Sequence, residues 1–352
     1  MISIAVTGAS GVVGQRLLPV LAEDASVRRL VGLDVRPPRR RAAGLEFHLV
    51  DVARSELKPL LEGIDVLVHL ATVVDPIADE ALMARVNVDG TRRVLDAAAA
   101  VGARKVVRVS SAAVYGAWAS NPVPLTEESP LRPNPGFSPA VLAAEVERLL
   151  AEWRDDHPGV TVTTLRSAPV LGPGAERLAS RLLLGRPSLR VRGAAPPVQA
   201  VHVDDLVSAL ALVVLADHPG TFNVASNGWL ARAEAEALLN PPRLPSLSPT
   251  VLERALRLTW NVGIGDVPPG VVPYLIHPWV VANDRLRGLG WRPRHSNEEA
   301  LVDGLDSLAP TRSPVPLVAL GAGALAGAGV TAWLLGRRFR RGGRRASRPT
   351  RA

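Results

Sequence analysis

"VTGASGVVGQRLLPVLA", residues 6–22, decides the fold. An apolar run ends at Thr7, glycines follow at Gly8, Gly11 and Gly14, and a helical repeat of Leu17, Leu18 and Leu21 begins at once. Glycine admits left-handed turns and close backbone approach, so a G-x-x-G-x-x-G spacing here builds a tight corner between a strand and a helix. The free N–H groups and dipole of a helix N-terminus favour an anion, and a pyrophosphate fits such a corner. Ser10, Val12 and Val13 lie within the same turn and are expected to line the cofactor with the three glycines. Asp34, twenty residues after Gly14, closes the next apolar run, "RRLVGLDV" (28–35). A carboxylate at that place accepts both hydroxyls of an adenosine ribose. Its charge opposes a 2′-phosphate and favours NAD; Arg36, Arg39, Arg40 and Arg41 follow immediately and keep NADP open.

Working outward, the runs "ISIAVTG", "IDVLVHLA", "KVVRVSS" and "VTVTTLRS" are short, continuous and rich in Val, Ile and Leu, and helical Ala/Leu/Arg segments separate them. Such runs are strands covered on both faces, and the alternation predicts right-handed βαβ units. The expected architecture is α/β, a doubly wound parallel sheet of the Rossmann kind over residues 1–170. From Gly172 the texture becomes rich in Pro, Gly and Arg, with helical pieces at 202–216 and 249–260. A smaller, mixed C-terminal lobe is expected over 171–309, with elements at about 198–228 returning to the first domain.

The chain has 352 residues, of which 47% are hydrophobic and 21% charged, a globular composition. It has no cysteine, which excludes disulfides and thiolate catalysis and argues against zinc; no metal is expected. The net charge of +8 resides in the tail, because residues 337–352 hold eight arginines and no acid, leaving 8 − 8 = 0 for the rest. That distribution argues against a nucleic-acid partner.

Residues 310–314 read as a linker. Val315 to Gly336 is a 22-residue run without a charge. At ~1.5 Å per helical residue it matches the ~30 Å of a bilayer core, so it is a candidate transmembrane helix. The arginine-rich tail 337–352 is placed to meet the phosphates of membrane lipids, and Gly323 and Gly327 are spaced to let two such helices approach in a homodimer. The amino end carries no signal-peptide pattern, so the folded part is expected in the cytoplasm, held at the membrane by a single C-terminal helix.

Several motifs, in order, carry a family resemblance: "TGASGVVG", "LVDVAR" (49–54), "VHLAT" (68–72), "VNVDGTRRVLDAA" (86–98), "VRVSSAAVYG" (107–116), "LRSAPVLGPG" (165–174), "VQAVHVDDLVSAL" (198–210), "FNVAS" (222–226) and "DRLRGLGWRP" (284–293). The chain resembles an extended short-chain dehydrogenase/reductase of the NAD-dependent epimerase/dehydratase kind over about residues 1–305. The resemblance implies that Asp51 and Val52 meet the adenine, that Leu70 and Ala71 approach the cofactor through backbone, and that Asn87 braces the strand ends. It implies that Ser111 holds the reacting oxygen of a substrate and that Tyr115 flanks it. His69 and His202 are read as packed core histidines.

The family's catalytic tyrosine and lysine, four residues apart, fall in "NPGFSPAVLAAE" (134–145), and this chain offers Phe137 and Val141. Phenylalanine keeps the ring and loses the ionising oxygen, so acid–base contributions of ~10²–10⁴-fold should be absent. Two functions follow as expectations: a cofactor-binding sensor, scaffold or very weak enzyme, or an unorthodox oxidoreductase or epimerase acting on a sugar-nucleotide or lipid-like substrate. In the second, Tyr115, Ser111, a water or the substrate would move the proton.

Overall fold

The computed structural model describes residues 1–40, 42–175, 178–184, 189–240 and 245–307. Its strands are β1 (Ile2–Thr7), β2 (Val27–Asp34), β3 (Leu45–Leu49), β4 (Val66–His69), β5 (Lys105–Ser111), β6 (Thr161–Ser167), β7 (Val170–Leu171), β8 (Val201–His202) and β9 (Gly220–Val224). Seven of them form one sheet in the order β3-β2-β1-β4-β5-β6-β9, with every neighbouring pair parallel. The five apolar runs named above are β1, β2, β4, β5 and β6.

Side-chain alternation on these strands feeds two cores. Ile4, Val6, Val68, Val107 and Leu165 point to one face, where α1 (Val12–Ala22) is packed. Ala5, Val31, Leu67, Val106 and Val162 point to the other, under α2 (Gly90–Ala100) and α3 (Ser138–Asp156). α4 (Val203–Leu215) completes the first face and packs on α1. Fully burying a side chain of this size contributes roughly 1.5–3 kcal/mol, which is why uninterrupted apolar strands require helices on both sides. The sheet is therefore doubly wound, as the alternation implied.

The strand order reverses between β1 and β4, whose ends are level: Thr7 pairs with His69. A crevice opens beyond the carboxyl ends of strands at such a switch point, and ligands of open α/β sheets bind there.

After β6 the chain leaves the sheet, pairs β7 with β8, and β9 rejoins the edge beside β6. A separate apolar cluster of Leu171, Leu184, Val198, Leu230, Leu239 and Leu301 supports the helix Asn297–Ser307, and another of Val191, Leu252 and Val272 supports the helix Pro249–Asn261. Among the described residues no helix is long and apolar enough to cross a membrane. The candidate transmembrane run 315–336, the linker 310–314 and the tail 337–352 lie outside the described residues, as does Arg41.

Candidate functional site

The corner after β1 is built as the glycine spacing requires. Gly8 has φ +70°, and a Cβ there would stand 2.6 Å from the Leu70 carbonyl carbon and 2.7 Å from the Ala71 nitrogen. Gly14 is equally constrained: its Cβ would lie 2.6 Å from the Gly8 carbonyl oxygen. Gly11 N–H donates to that same oxygen at 3.0 Å and caps α1 with no side-chain acceptor. The first turn of α1 therefore presents its backbone donors to whatever occupies the corner. Ser10, Val12 and Val13 are carried on this turn and on the start of α1.

Asp34 ends β2 and is 8% exposed. Its Oδ2 accepts the Ser10 N–H at 2.9 Å and its Oδ1 the Arg36 N–H at 3.0 Å, while Ser10 Oγ donates to the Arg36 carbonyl at 2.6 Å. Each carboxylate oxygen keeps further acceptor capacity. The Arg36 guanidinium is exposed, with Nε 4.0 Å from Asp34 Oδ1. Asp51 Oδ1 accepts the Ala53 N–H, and buried Val52 rests against the face of Gly90.

Below the crevice a closed relay fixes the end of β4. The Thr91 hydroxyl donates to the Asn87 carbonyl, so the 2.9 Å contact with His69 must be His69 Nε2–H donating to Thr91. His69 Nδ1 then accepts from the Thr7 hydroxyl at 2.7 Å, and Thr7 Oγ1 takes the N–H groups of Leu70 and Ala71 at 3.2 Å each. Burial, and then the charge of Arg108, push the His69 pKa down to about 3. His69 is a neutral, packed brace. Asn87 grips the loop after β4 with both ends of its amide: it donates to the Val73 carbonyl at 3.0 Å and accepts the Val73 N–H at 2.8 Å.

The far end of the crevice is formed by the end of β5 and the start of α3. Ser111 is half-buried, and its Oγ accepts the Ala113 N–H at 3.2 Å. Asn134 ties the two segments, accepting the Ala117 N–H at 2.8 Å and donating to the Ala117 carbonyl. That tie brings Phe137, which precedes α3, into one apolar cluster with Ala113, Ala117, Ala140 and Val271. Phe137 packs on Tyr274 with centroids 5.1 Å apart, and Tyr274 meets Trp279 edge-on at 5.2 Å. The Tyr274 hydroxyl donates to the Ala113 carbonyl at 2.9 Å, and burial holds it well above the usual phenol range. Gly270 approaches so closely that a Cβ there would overlap the Gly136 carbonyl. Val141, one turn into α3, is half-buried and brings no ionisable group.

Tyr115 is placed apart from this group. It is 1% exposed; its hydroxyl donates to Asn223 at 2.8 Å and accepts from Arg166 at 2.7 Å, and burial foremost pushes its pKa up to about 12. Arg166 is held in turn by Glu147, which also accepts from Ser110. These bonds tie the Tyr115 hydroxyl to β6 and β9. The sequence resemblance put it beside the substrate; its spacing from Ser111 carries no information about which way a buried ring turns. Tyr274 and Trp279 had no signal in the sequence, because they reach the site from an irregular, proline-rich segment.

The model for the family described as "NAD dependent epimerase/dehydratase family" matches residues 4–225. The chain is 31% identical over 320 residues to a 3-diazoavenalumate denitrifying reductase of a Streptomyces species, covering 83% of this chain and 96% of that one. It is similar in fold to MoeE5 in complex with UDP-glucuronic acid and NAD, at a TM-score of 0.69 and 23% identity over 87% of this chain and 98% of that one. The UDP-glucose 4-epimerase of Thermus thermophilus in complex with NAD gives a TM-score of 0.68 at 22% identity, with the same shares covered. The matched span takes in the glycine corner, Asp34, the His69 relay and both segments around Phe137, and the chain belongs to the NAD-dependent epimerase/dehydratase family.

Proposed function

We propose that this chain is an NAD-binding member of its family that keeps the dinucleotide corner and has lost the proton-transfer end, and that it works as a sensor or scaffold or turns over very slowly. Residues 1–170 with about 198–228 serve as the dinucleotide-binding part, and 171–309 as the substrate lobe. Gly8, Ser10, Gly11, Val12, Val13 and Gly14 would hold the pyrophosphate through backbone. Asp34 and Arg36 would take the adenosine ribose, Asp51 and Val52 the adenine, and Leu70, Ala71 and Asn87 the side facing the switch point. The fit rests on space that only glycine leaves at 8 and 14, and on acceptors still free on Asp34. When bound, NAD supplies or accepts a hydride; Ser111 Oγ is the remaining group at this end to hold a substrate oxygen.

The carrying observation is Phe137 packed at 5.1 Å on Tyr274, with Val141 one turn away, where the family pattern asks for a phenol and an ammonium. The two losses agree physically, because a lysine buried there without a phenolate would be an unpaired charge. Attachment to a membrane through 315–336, with lipid phosphates on the arginines of 337–352 and pairing of chains at Gly323 and Gly327, belongs to the same proposal. Fractionation of the full chain beside a truncation at Ser313 tests it, and equal solubility of the two without detergent would refute it.

A second function, an oxidoreductase or epimerase acting on a sugar-nucleotide or lipid-like substrate, is favoured by the 31% likeness to a denitrifying reductase. Titration of the purified chain with NAD(H) and NADP(H) at low salt, followed by turnover assays, separates the two. Absence of dinucleotide binding would end both proposals. Turnover comparable to that of relatives bearing the tyrosine and lysine would favour the second.

A further inference from the structure

Away from the dinucleotide corner, the fold gathers two imidazoles and a carboxylate from distant parts of the chain. His202 ends β8 and caps α4, His295 lies just before the helix Asn297–Ser307, and Asp303 is on that helix. The two rings stack with centroids 3.9 Å apart, His202 Nε2 is 3.6 Å from Asp303 Oδ2, and one ligand atom from each residue lies within 4.8 Å of the others.

His202 is 2% exposed, and its Nε2 has no hydrogen-bond partner. Leaving such a group unsatisfied is costly, so the site asks for a partner. Gly172 faces this nitrogen: at φ +114° a Cβ would stand 2.6 Å from Nε2, and the glycine leaves the approach clear. Behind each ring stands a carboxylate. His295 Nδ1 is 3.1 Å from Asp205 Oδ2, and Asp205 is fixed by the N–H groups of Arg294 and His295 at 2.9 Å. His202 Nδ1 is 3.8 Å from Asp204 Oδ2. Metal-bound histidines are oriented as His295 is, by a carboxylate that accepts the other ring N–H.

We propose that His202, His295 and Asp303 form a divalent transition-metal site, suited to Zn²⁺, that ties β8 and α4 to the helix Asn297–Ser307. Two imidazoles and one carboxylate are an N₂O donor set that zinc accepts in tetrahedral geometry, with a water in the fourth place. At Zn–N distances of ~2.0–2.1 Å the ligand atoms stand roughly 3.4 Å apart, and the two stacked rings must turn so that both nitrogen lone pairs point at one ion. Asp303, half-exposed, already stands 3.6 Å from His202 Nε2. Ligation through Nε2 puts the His202 ring proton on Nδ1, which now accepts the Asp204 N–H at 3.2 Å; on binding, Nδ1–H would donate to the Asp204 carboxylate instead. The sequence shows no zinc signature, because the two histidines are 93 positions apart and no cysteine is present.

The test uses the full chain stripped with a chelator and dialysed. Zn²⁺ is titrated in competition with a chromophoric chelator, Co²⁺ is titrated for its visible ligand-field bands, and thermal unfolding is followed with and without Zn²⁺. One equivalent should bind at micromolar Zn²⁺ or below and raise Tm, and Co²⁺ should give a tetrahedral spectrum. Asp303→Asn and His295→Gln, both at accessible positions, should fold, lose about tenfold or more in affinity and lose the Tm shift. No binding at roughly 100 µM Zn²⁺, or binding and Tm shifts unchanged in both variants, would overturn the site. The second result would assign the metal to the histidines elsewhere. None of these readouts depends on dinucleotide binding.

Discussion

At one end of the crevice, around Gly8 and Asp34, backbone and carboxylate are arranged as a set of donors and acceptors with spare capacity. At the other, around Phe137, the chain lays ring against ring, and the phenol brought in by Tyr274 spends its proton on the Ala113 carbonyl. The difference shows where each property of this family resides. Dinucleotide binding depends on backbone geometry that shapes the fold itself, whereas proton transfer depends on two side chains at the start of α3 that can change while the fold stays intact. Binding and turnover can therefore be lost separately, and on the function proposed here the catalytic end is the one that changed.

The comparison breaks most easily at Gly8. A Cβ at φ +70° and 2.6 Å from the Leu70 carbonyl carbon forces the crevice open, so Gly8→Ala should weaken NAD binding by at least about 100-fold. Calorimetry checks this, with circular dichroism to confirm folding. Unchanged affinity would mean that the corner is not the binding site. Asp34→Ala should follow, because hydrogen bonds to a charged group contribute about 1.5–3 kcal/mol, or about 10–100-fold in NAD affinity. NADP affinity should fall less, and an equal fall for both would remove the argument for NAD.

The neutral brace beneath the crevice makes the folded state sensitive to acid. His69 is held near 3 when folded and takes a proton near 6.5 when unfolded, and His202 is shifted in the same direction. Between those values the unfolded state binds more protons, so stability falls as pH drops below about 6.5, with His69 alone contributing up to about 1.4 kcal/mol per pH unit. Urea unfolding between about pH 7 and about pH 5 should show this slope, and His69→Gln should reduce it. An unchanged slope in that variant would show that His69 titrates normally.

Smaller effects belong to the altered end. Phe137→Tyr with Val141→Lys should tighten NAD by about three- to tenfold through a restored ribose partner, and raise any measurable turnover. Ser111→Ala should change turnover by less than about twofold, because on the proposed function Phe137 leaves it no proton-transfer partner to serve. A hundredfold loss in that variant would show a live site.

The legible parts of this molecule were those written in backbone rules. The five inner strands could be read because strands covered on both faces are uniformly apolar, and the glycine corner because no other residue fits its turns. β3 was harder to read: at the sheet edge it alternates Leu45, Phe47 and Leu49 with the polar Glu46 and His48, a short pattern that turns also produce. Tyr274 and Trp279 were illegible for a different reason, since a ring arriving from a distant irregular segment leaves no periodicity behind. Tyr115 could be located on its motif, but its direction depends on Arg166 and Asn223, which lie 51 and 108 positions away.

The most direct test of the central claim compares NAD⁺ with ADP-ribose in calorimetric titrations of the unaltered chain at low salt. ADP-ribose keeps everything that Gly8, Gly11, Gly14 and Asp34 are placed to hold, together with the second ribose, and lacks only the nicotinamide ring. The two ligands should bind with affinities within about threefold of each other, a difference below 1 kcal/mol. NAD⁺ binding more than about tenfold tighter than ADP-ribose would show that the nicotinamide end is still engaged and would contradict the division of the crevice argued here.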